Sequence, residues 1–149
     1  MTNPHASVEI AAPLEVVWRI MLDTASYGSW NPFIVSVDTP RPAAVGNPIV
    51  LHVVWENGSR TRSPERITAI EHGDDAALLS YVYEGLPSRL GLVRGVRHQR
   101  LTRVGAGCRY DTVEEFSGPL VRLAGPGRVQ RGFQRHAEAL KARAEAEVQ

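Results

Sequence analysis

The C-terminal half of the chain decides the fold, with RGVRHQRLTRV at residues 94–104, GCRYDTVEEFS at 107–117 and a helical pattern after Gly125-Pro126-Gly127. Polar and apolar residues alternate in the first two stretches, which indicates strands with one buried face. The glycines of Gly105-Ala106-Gly107 favour a tight reversal between them and therefore antiparallel pairing. The helical pattern has an apolar stripe at spacings of four and three, formed by Val129, Phe133, Ala137, Leu140 and Ala144. A long amphipathic helix therefore follows the last two strands of an antiparallel sheet.

Alternation also predicts four strands before these two, at about residues 33–38, 48–56, 60–71 and 76–84. Asn57-Gly58 and Gly73-Asp74-Asp75 mark reversals between neighbouring strands, because these residues tolerate turn conformations. Pro64 lies inside a predicted strand, where it removes a donor from the hydrogen-bond ladder, and we expect a bulge or an edge position there. The six strands are therefore predicted to form an antiparallel meander.

The N-terminal part of the chain supplies a further strand and two short helices. Residues 5–11 alternate like a strand, and Pro13 has the fixed φ that suits the first turn of a helix. The apolar residues that follow Pro13 share one helical face, and a second short helix or turn is expected at residues 26–32. The complete order predicts an α+β fold in which a seven-stranded antiparallel sheet curves around the long C-terminal helix.

Composition limits the classes of protein that this chain can represent. Its 149 residues and 43% hydrophobic content fit one domain with a substantial core. The net charge of +1 excludes the strongly basic balance of a general nucleic-acid coat, although residues 86–149 hold 12 basic and only 6 acidic side chains. Cys108 is the single cysteine, and no apolar run has the length of a signal or membrane-spanning segment. We therefore expect a cytoplasmic protein without nucleic-acid partners or membrane insertion.

Several stretches of the chain carry a family resemblance: Ala12–Trp18 with Asp23 after it, Trp30-Asn31-Pro32-Phe33, Gly46, and Tyr110–Gly118. In this order they resemble the START-like, Bet v 1-like superfamily (SRPBCC), and specifically its polyketide cyclase/dehydrase-type members. The resemblance covers almost the whole chain, so it implies a single START-like domain over residues 1–149 with the helix-grip fold. It also implies a cavity between the sheet and the final helix, of the kind that members use for lipids, sterols, polyketides and plant hormones.

A few members of this superfamily act as aromatase/cyclases or dehydratases, and the resemblance implies that type of activity without a metal or nucleotide cofactor. The chain itself contains no Gly-x-Ser-x-Gly, His-Glu-x-x-His, Cys-x-x-Cys or phosphate-loop motif. We therefore expect no cofactor and no metal. Because the functions of the superfamily share no common residue set, site residues are inferred from the direction of side chains.

The inward face of the last two strands is predicted to carry Arg97, Gln99, Leu101, Tyr110, Thr112, Glu114 and Phe116. A carboxyl group on that face suits proton transfer, so we predict Glu114 as the catalytic acid or base. Gln99 or Tyr81 would hold the carbonyl oxygen on which charge develops. The alternatives are that Glu114 pairs with an arginine of the neighbouring strand and that Gln99 bonds a side chain of a neighbouring strand.

Predicted ligand contacts are aromatic or lie on the same inward faces: Trp30, Trp55, Tyr83, Arg97, Leu101, Tyr110, Thr112 and Phe133. Aromatic rings suit a polyketide-like ligand, and core packing is the alternative role for them. The apolar, glycine-containing segment 85–91 is expected to form a flap at the pocket mouth. His5, His72 and His136 are expected at the surface.

These residues lead to three hypotheses about function. The first is a cavity that binds a hydrophobic or polyketide-like molecule of bacterial secondary metabolism and cyclises or dehydrates it with pocket acid–base groups. The second is a non-catalytic carrier of a hydrophobic metabolite, and the third is a protein-interaction module of the same fold. Two or more convergent polar groups in the cavity would favour chemistry, and a wholly apolar lining would favour carriage. A monomer or a homodimer is expected.

Overall fold

The computed structural model describes residues 3–149, which form one seven-stranded antiparallel sheet and three α-helices. The strands are β1 (His5–Ile10), β2 (Ile34–Asp38), β3 (Pro48–Val54), β4 (Arg60–His72), β5 (Ala76–Tyr83), β6 (Arg94–Val104) and β7 (Gly107–Ser117). The helices are α1 (Leu14–Leu22), α2 (Leu86–Arg89) and α3 (Pro126–Glu147), with 3₁₀ segments at Thr24–Ser29 and Val121–Ala124. The predicted α+β helix-grip arrangement is confirmed, including the two short helices between the first two strands.

The order of strands across the sheet is β1-β7-β6-β5-β4-β3-β2. The first two strands of the chain therefore lie at opposite edges, and α1 with its following 3₁₀ segment connects one edge to the other. The sheet curls, and α3 lies on its concave side with the predicted apolar stripe buried. Leu140 and Ala144 are completely buried, which places this end of α3 in the hydrophobic core.

Close contact between α3 and the residue that precedes β2 depends on a helical glycine. A Cβ atom on Gly132 would overlap the ring of Phe33, which packs directly against the helix backbone. Phe33 also meets Phe133 edge to face, with ring centroids 6.2 Å apart. The small residue therefore sets how closely α3 approaches the start of β2.

Pro64 lies in the interior strand β4, paired with Val50 of β3, but just beyond the last β4–β5 pair, so it occupies a local edge position without a bulge. Its carbonyl accepts a hydrogen bond from the backbone of Glu84, just beyond the last β4–β5 pair, Glu65 with Tyr83. Because N–H and C=O of a strand residue point to the same side, the missing donor faces a region where β5 has ended. The register shift in β4 lies instead between Ile67 and Ala69, so of the two expected alternatives the proline takes the local edge position and not a bulge.

Two short helical segments flank the open end of the concave side. Helix α2 forms inside the predicted flap, where Pro87 occupies an early helical position. The 3₁₀ segment Val121–Ala124 precedes α3, and Gly125 separates the two in a left-handed conformation with φ of 67°. Within residues 3–149 no helix has the length and hydropathy needed to cross a membrane.

A pair of glycines in α3 tests the close contact with Phe33. Gly132→Ala should lower the free energy of unfolding by about 1–3 kcal/mol, because the added methyl group overpacks the site. Gly127→Ala is the matched control, since its Cβ would meet only Arg131 at 3.7 Å. That control should be neutral or stabilising by up to about 1 kcal/mol. Urea unfolding of both variants measures the difference, and equal stabilities would show that α3 does not contact Phe33 in this way.

Candidate functional site

A cavity of about 350 Å³ lies between the concave face of the sheet and the N-terminal half of α3. Its walls are largely apolar and aromatic, with contributions from Phe33, Leu51, Val53, Trp55, Val93, Phe116, Val129 and Phe133. Residues Pro87 and Leu92, at the predicted flap, and Leu120 and Leu123, before α3, line its outer part. Leu123 is 77% exposed, so this side is the mouth. The flap is therefore at the mouth of the cavity, as predicted.

Two buried carboxyl groups reach the cavity from strands that are not neighbours in the sheet. Glu65 on β4 and Glu114 on β7 each line the cavity and are 8% exposed. Three inter-strand steps separate β4 from β7, which corresponds to about 14 Å across a flat sheet. The curl of the sheet lets these long side chains approach one another from opposite walls. The concave position predicted for Glu114 is correct.

Both carboxyl groups have raised pKa values. Burial, with the charge of the nearby Glu114 carboxyl as the second cause, raises the pKa of Glu65 to about 8. Burial likewise raises the pKa of Glu114 to about 7, while the positive charge of Arg97 acts in the opposite direction. Two neighbouring carboxylates repel each other, so ionising both groups costs more free energy than ionising one. The pair therefore shares protons at neutral pH. One member can therefore donate a proton while the other accepts one.

Arg97 provides the buried positive charge beside this pair. It lies opposite Glu114 in the register of β6 and β7 and is only 2% exposed. Its Nε donates to Thr112 Oγ1 at 2.9 Å and its Nη2 to Tyr110 Oη at 3.3 Å. Its guanidinium lies 4.1 Å from the centre of the Phe133 ring. Hydroxyl oxygens, and not the carboxylate of Glu114, thus take its hydrogen bonds.

The surroundings of each carboxyl group leave oxygen atoms available to a ligand. Ser63 donates to Glu65 Oε2 at 2.9 Å, and Glu65 Oε1 is buried without a hydrogen-bond partner in the part of the chain described. A Cβ atom on Gly95 would lie 2.5 Å from Glu114 Oε2, so the carboxyl group of Glu114 rests on bare β6 backbone. A buried polar atom without a partner is costly. A ligand hydroxyl group would satisfy Glu65 Oε1, and so would a ligand carbonyl oxygen when the Glu65 carboxyl is protonated.

Two of the predicted catalytic residues lie beneath the cavity and do not line it. Gln99 accepts a hydrogen bond from Tyr110 Oη at 2.6 Å, and Tyr110 in turn accepts from Arg97. Tyr81 is paired with Arg97 in the register of β5 and β6 and is 2% exposed. The structure thus brings Gln99 and Tyr81 to the concave side, in a layer that supports Arg97 from below.

The predicted ligand contacts divide in the same way. Arg97, Trp55, Tyr83 and Phe133 line the cavity. Leu101, Tyr110 and Thr112 are buried in the core below it, and Trp30 packs edge to face on Tyr27 at 5.1 Å. None of these four is among the residues that line the cavity. Alternation identified the inward face correctly, but it did not show which inward residues line the cavity and which lie in the core below it.

His136 is wrongly predicted at the surface. It is 1% exposed, its ring stacks on Tyr110 at 6.0 Å, and its Nδ1 accepts a hydrogen bond from the Asn31 amide at 3.0 Å. Burial lowers its pKa well below the usual value, so the ring is neutral. Asn31 also accepts from the backbone N–H groups of Phe33 and Ile34, both at 2.9 Å. This cluster ties α3 to the start of β2.

Two functional candidates were missed by the sequence analysis. Glu65 shares its strand face with the buried Ile67, and this alternation could have placed it inward despite the adjacent Pro64. Arg128 lies in the first turn of α3, and only the three-dimensional structure places it beside Trp55 in the cavity wall. Within residues 3–149 no group of three or more His, Cys, Asp or Glu side chains could hold a metal ion.

Residues 1–145 match the family described as polyketide cyclase / dehydrase and lipid transport. The chain belongs to this family. The polyketide cyclase/dehydrase-type resemblance seen in the sequence is therefore confirmed. No curated protein sequence shows a significant match to the chain.

Solved structures with the same fold come from several proteins. Zhui aromatase/cyclase from a Streptomyces species shares 17% identity, with 99% of this chain and 96% of that chain covered and a TM-score of 0.75. The di-domain ARO/CYC StfQ from the steffimycin biosynthetic pathway shares 11% identity over 98% of this chain and 52% of that chain, with a TM-score of 0.73. A hypothetical protein from Helicobacter pylori shares 12% identity over 96% and 88%, with a TM-score of 0.78. At these identities the likeness establishes the fold alone.

The pH dependence of stability tests the raised pKa of the carboxyl pair. A carboxyl group with a folded-state pKa above its unfolded value contributes stability below about pH 4.5, and this contribution is lost as pH rises through about 7 to 8. Glu65→Gln should therefore gain on the order of 2 kcal/mol relative to wild type between pH 5.5 and pH 9. Glu138→Gln, at an exposed position of α3, is the control and should follow wild type. Parallel curves of unfolding free energy against pH for wild type and Glu65→Gln would contradict the assignment.

Proposed function

We propose that the protein binds a hydrophobic, oxygen-bearing molecule of polyketide type and cyclises or dehydrates it by acid–base catalysis. The observation that carries this proposal is the convergence of Glu65, Glu114 and Arg97 inside an otherwise apolar cavity. The family description and the ARO/CYC proteins of the same fold agree with a reaction of this class.

Chemistry is favoured over simple carriage because the polar groups are expensive to bury. A carrier of an apolar metabolite needs apolar walls, and each buried ionisable group costs several kcal/mol unless it is neutralised or paired. Here two carboxyl groups lie together in the cavity wall, and one of their oxygen atoms has no partner. Perturbed carboxyl groups that converge in a cleft are typical of catalytic sites.

The carboxyl pair supplies both proton transfers that such a reaction needs. In a dehydration, the ionised member removes a proton from the carbon next to a carbonyl group. The protonated member donates its proton to the β-hydroxyl group, which leaves as water while the carbon–carbon double bond forms. The pair thus ends with the same number of protons as before, and the product differs from the substrate by one water molecule.

Arg97 decides which carboxyl group ionises first. It lies opposite Glu114 in the sheet, and its positive charge lowers the pKa of both carboxyl groups. Because Arg97 is paired with Glu114 in the sheet register, it favours the ionised form of Glu114, so Glu114 is assigned as the base and Glu65 as the acid. The hydrogen bonds to Thr112 and Tyr110 hold the guanidinium in place.

A defined β-hydroxy ketone tests the reaction without knowledge of the natural substrate. The aldol adduct of acetone and benzaldehyde has an apolar ring, a β-hydroxyl group and a carbonyl group, and its conjugated product absorbs in the near ultraviolet. Glu114→Gln should reduce its dehydration by about 100-fold or more, because positioned acid–base catalysis typically has that weight. Affinity for the neutral fluorescent probe N-phenylnaphthylamine should stay within about two-fold, since the cavity keeps its shape.

The matched control is Glu115→Gln, one residue further along β7 on the convex face, where Glu115 pairs with His98 at 2.8 Å. This variant should keep wild-type activity. Equal loss in both variants would indicate a general electrostatic or folding effect. Unchanged turnover in Glu114→Gln would remove Glu114 from the mechanism, and binding of N-phenylnaphthylamine without any turnover by wild type would favour the carrier.

Hydrogen exchange tests whether the flap controls access to the cavity. The flap is held by backbone bonds from Leu92 to Pro87 at 2.9 Å and from Leu120 to Leu92 at 3.0 Å, while Leu86 and Leu90 are more than 60% exposed. Few buried contacts hold this segment, so its amides should exchange readily and become protected when N-phenylnaphthylamine is bound. Identical exchange of residues 85–92 with and without saturating probe would argue against gating.

A further inference from the structure

Arg128 occupies a position at the cavity mouth that the proposed acid–base chemistry does not use. It lies in the first turn of α3, is exposed, and lines the cavity. Its guanidinium lies 4.1 Å from the centre of the Trp55 ring, within the range of a favourable cation–π contact.

The surrounding residues fix this side chain in place. Trp55 Nε1 donates to Thr61 Oγ1 at 2.7 Å, which orients the indole ring. On the other side, a Cβ atom on Gly125 would lie 2.9 to 3.2 Å from the Arg128 side chain, so the stem of the arginine packs against bare backbone. The Arg128 side chain is thus held between the Trp55 ring and the backbone at Gly125, unlike a freely rotating surface arginine.

The other arginines along the same part of α3 already have oxygen partners. Arg131 pairs with Glu56 at 3.0 Å, and Arg135 donates to the backbone carbonyls of Pro32 and Val54. Arg128 has no carboxylate or carbonyl partner within hydrogen-bond distance among residues 3–149. Its donors are therefore available to a bound molecule.

Few negative charges border the mouth to compete for these donors, because Glu56, beside Trp55, pairs with Arg131 and Glu84, before the flap, pairs with Arg66. No acidic residue occurs between Gly85 and Tyr110 or between Phe116 and Ala137. Arg89, Arg94 and Arg122 in these segments are exposed and add to the positive potential. An anionic group is therefore attracted to this end of the cavity.

We propose that Arg128 and Trp55 form a subsite for an anionic group, such as a carboxylate, at the mouth end of the ligand. The ligand therefore binds in one orientation, with its neutral oxygen-bearing part at Glu65 and Glu114 and its anionic end at Arg128. A guanidinium presents parallel N–H donors that match a planar oxyanion, and the indole ring packs against the adjoining apolar or aromatic part. This inference rests on the proposed ligand cavity and names the chemical class that the cavity selects.

Two fluorescent probes that share the same rings test the subsite. Anilinonaphthalenesulfonate carries a sulfonate, and N-phenylnaphthylamine has the same aromatic framework without it. Wild type should bind the sulfonate more tightly, and Arg128→Gln should weaken its binding by about 10-fold while N-phenylnaphthylamine changes by less than about two-fold. Raising the salt concentration should weaken sulfonate binding to wild type and have little effect on Arg128→Gln.

Arg100→Gln is the charge-matched control, because Arg100 is exposed on β6 and does not line the cavity. It should leave the affinity for both probes unchanged. Equal weakening of both probes by Arg128→Gln, or a loss of sulfonate binding in Arg100→Gln as large as in Arg128→Gln, would overturn the subsite. Tight binding of N-phenylnaphthylamine by wild type without preference for the sulfonate overturns this inference alone. Failure of wild type to bind either probe overturns the ligand cavity itself, and with it the proposed function.

Discussion

A guanidinium group lies almost fully buried at the centre of the fold, where Arg97 joins the sheet to the final helix. Its partners come from three elements: Thr112, Tyr110 and the adjacent Glu114 on β7, the Phe133 ring on α3, and Glu65 on β4. Removing such a charge from water costs several kcal/mol, and hydrogen bonds with a facing ring and opposite charge offset that cost. The position of Arg97 therefore requires that hydroxyl groups, the helix and the carboxyl pair all occupy their observed places.

The concave side of the sheet is divided into a filled half and an open half. Toward the C-terminal end of α3, Leu140, Ala137 and Ala144 fill the space against the sheet and are completely buried. Toward the N-terminal end, a cavity of about 350 Å³ lies between the helix and the sheet. Tight packing in one half stabilises the fold enough to tolerate an unfilled cavity, which would otherwise lower stability through lost contacts.

Local patterns predicted the architecture well, because residue alternation and spacing indicate the strands, the turns and the apolar stripe of the helix. The inward direction of Glu114, Gln99 and Tyr81 followed from the same alternation. Alternation did not show whether these residues line the cavity or lie in the core below it. The curvature of the sheet and the position of α3 decide that. His136 was assigned to the surface since its sequence neighbours are polar, whereas the ring is buried through partners more than 100 residues away.

Glu65 shows most clearly what the sequence leaves open. The first part of β4 is polar on both faces, with Arg60, Thr61, Arg62 and Ser63, so neither face is marked as buried until Ile67. Yet the strand curls so that Glu65 faces Glu114 over the cavity, where an apolar residue of similar size would remove a desolvation cost and fill space. The fold does not need a carboxyl group at that point. A group that fold stability disfavours, and that lines an open cavity together with a second such group, supports the proposed proton transfers by the pair.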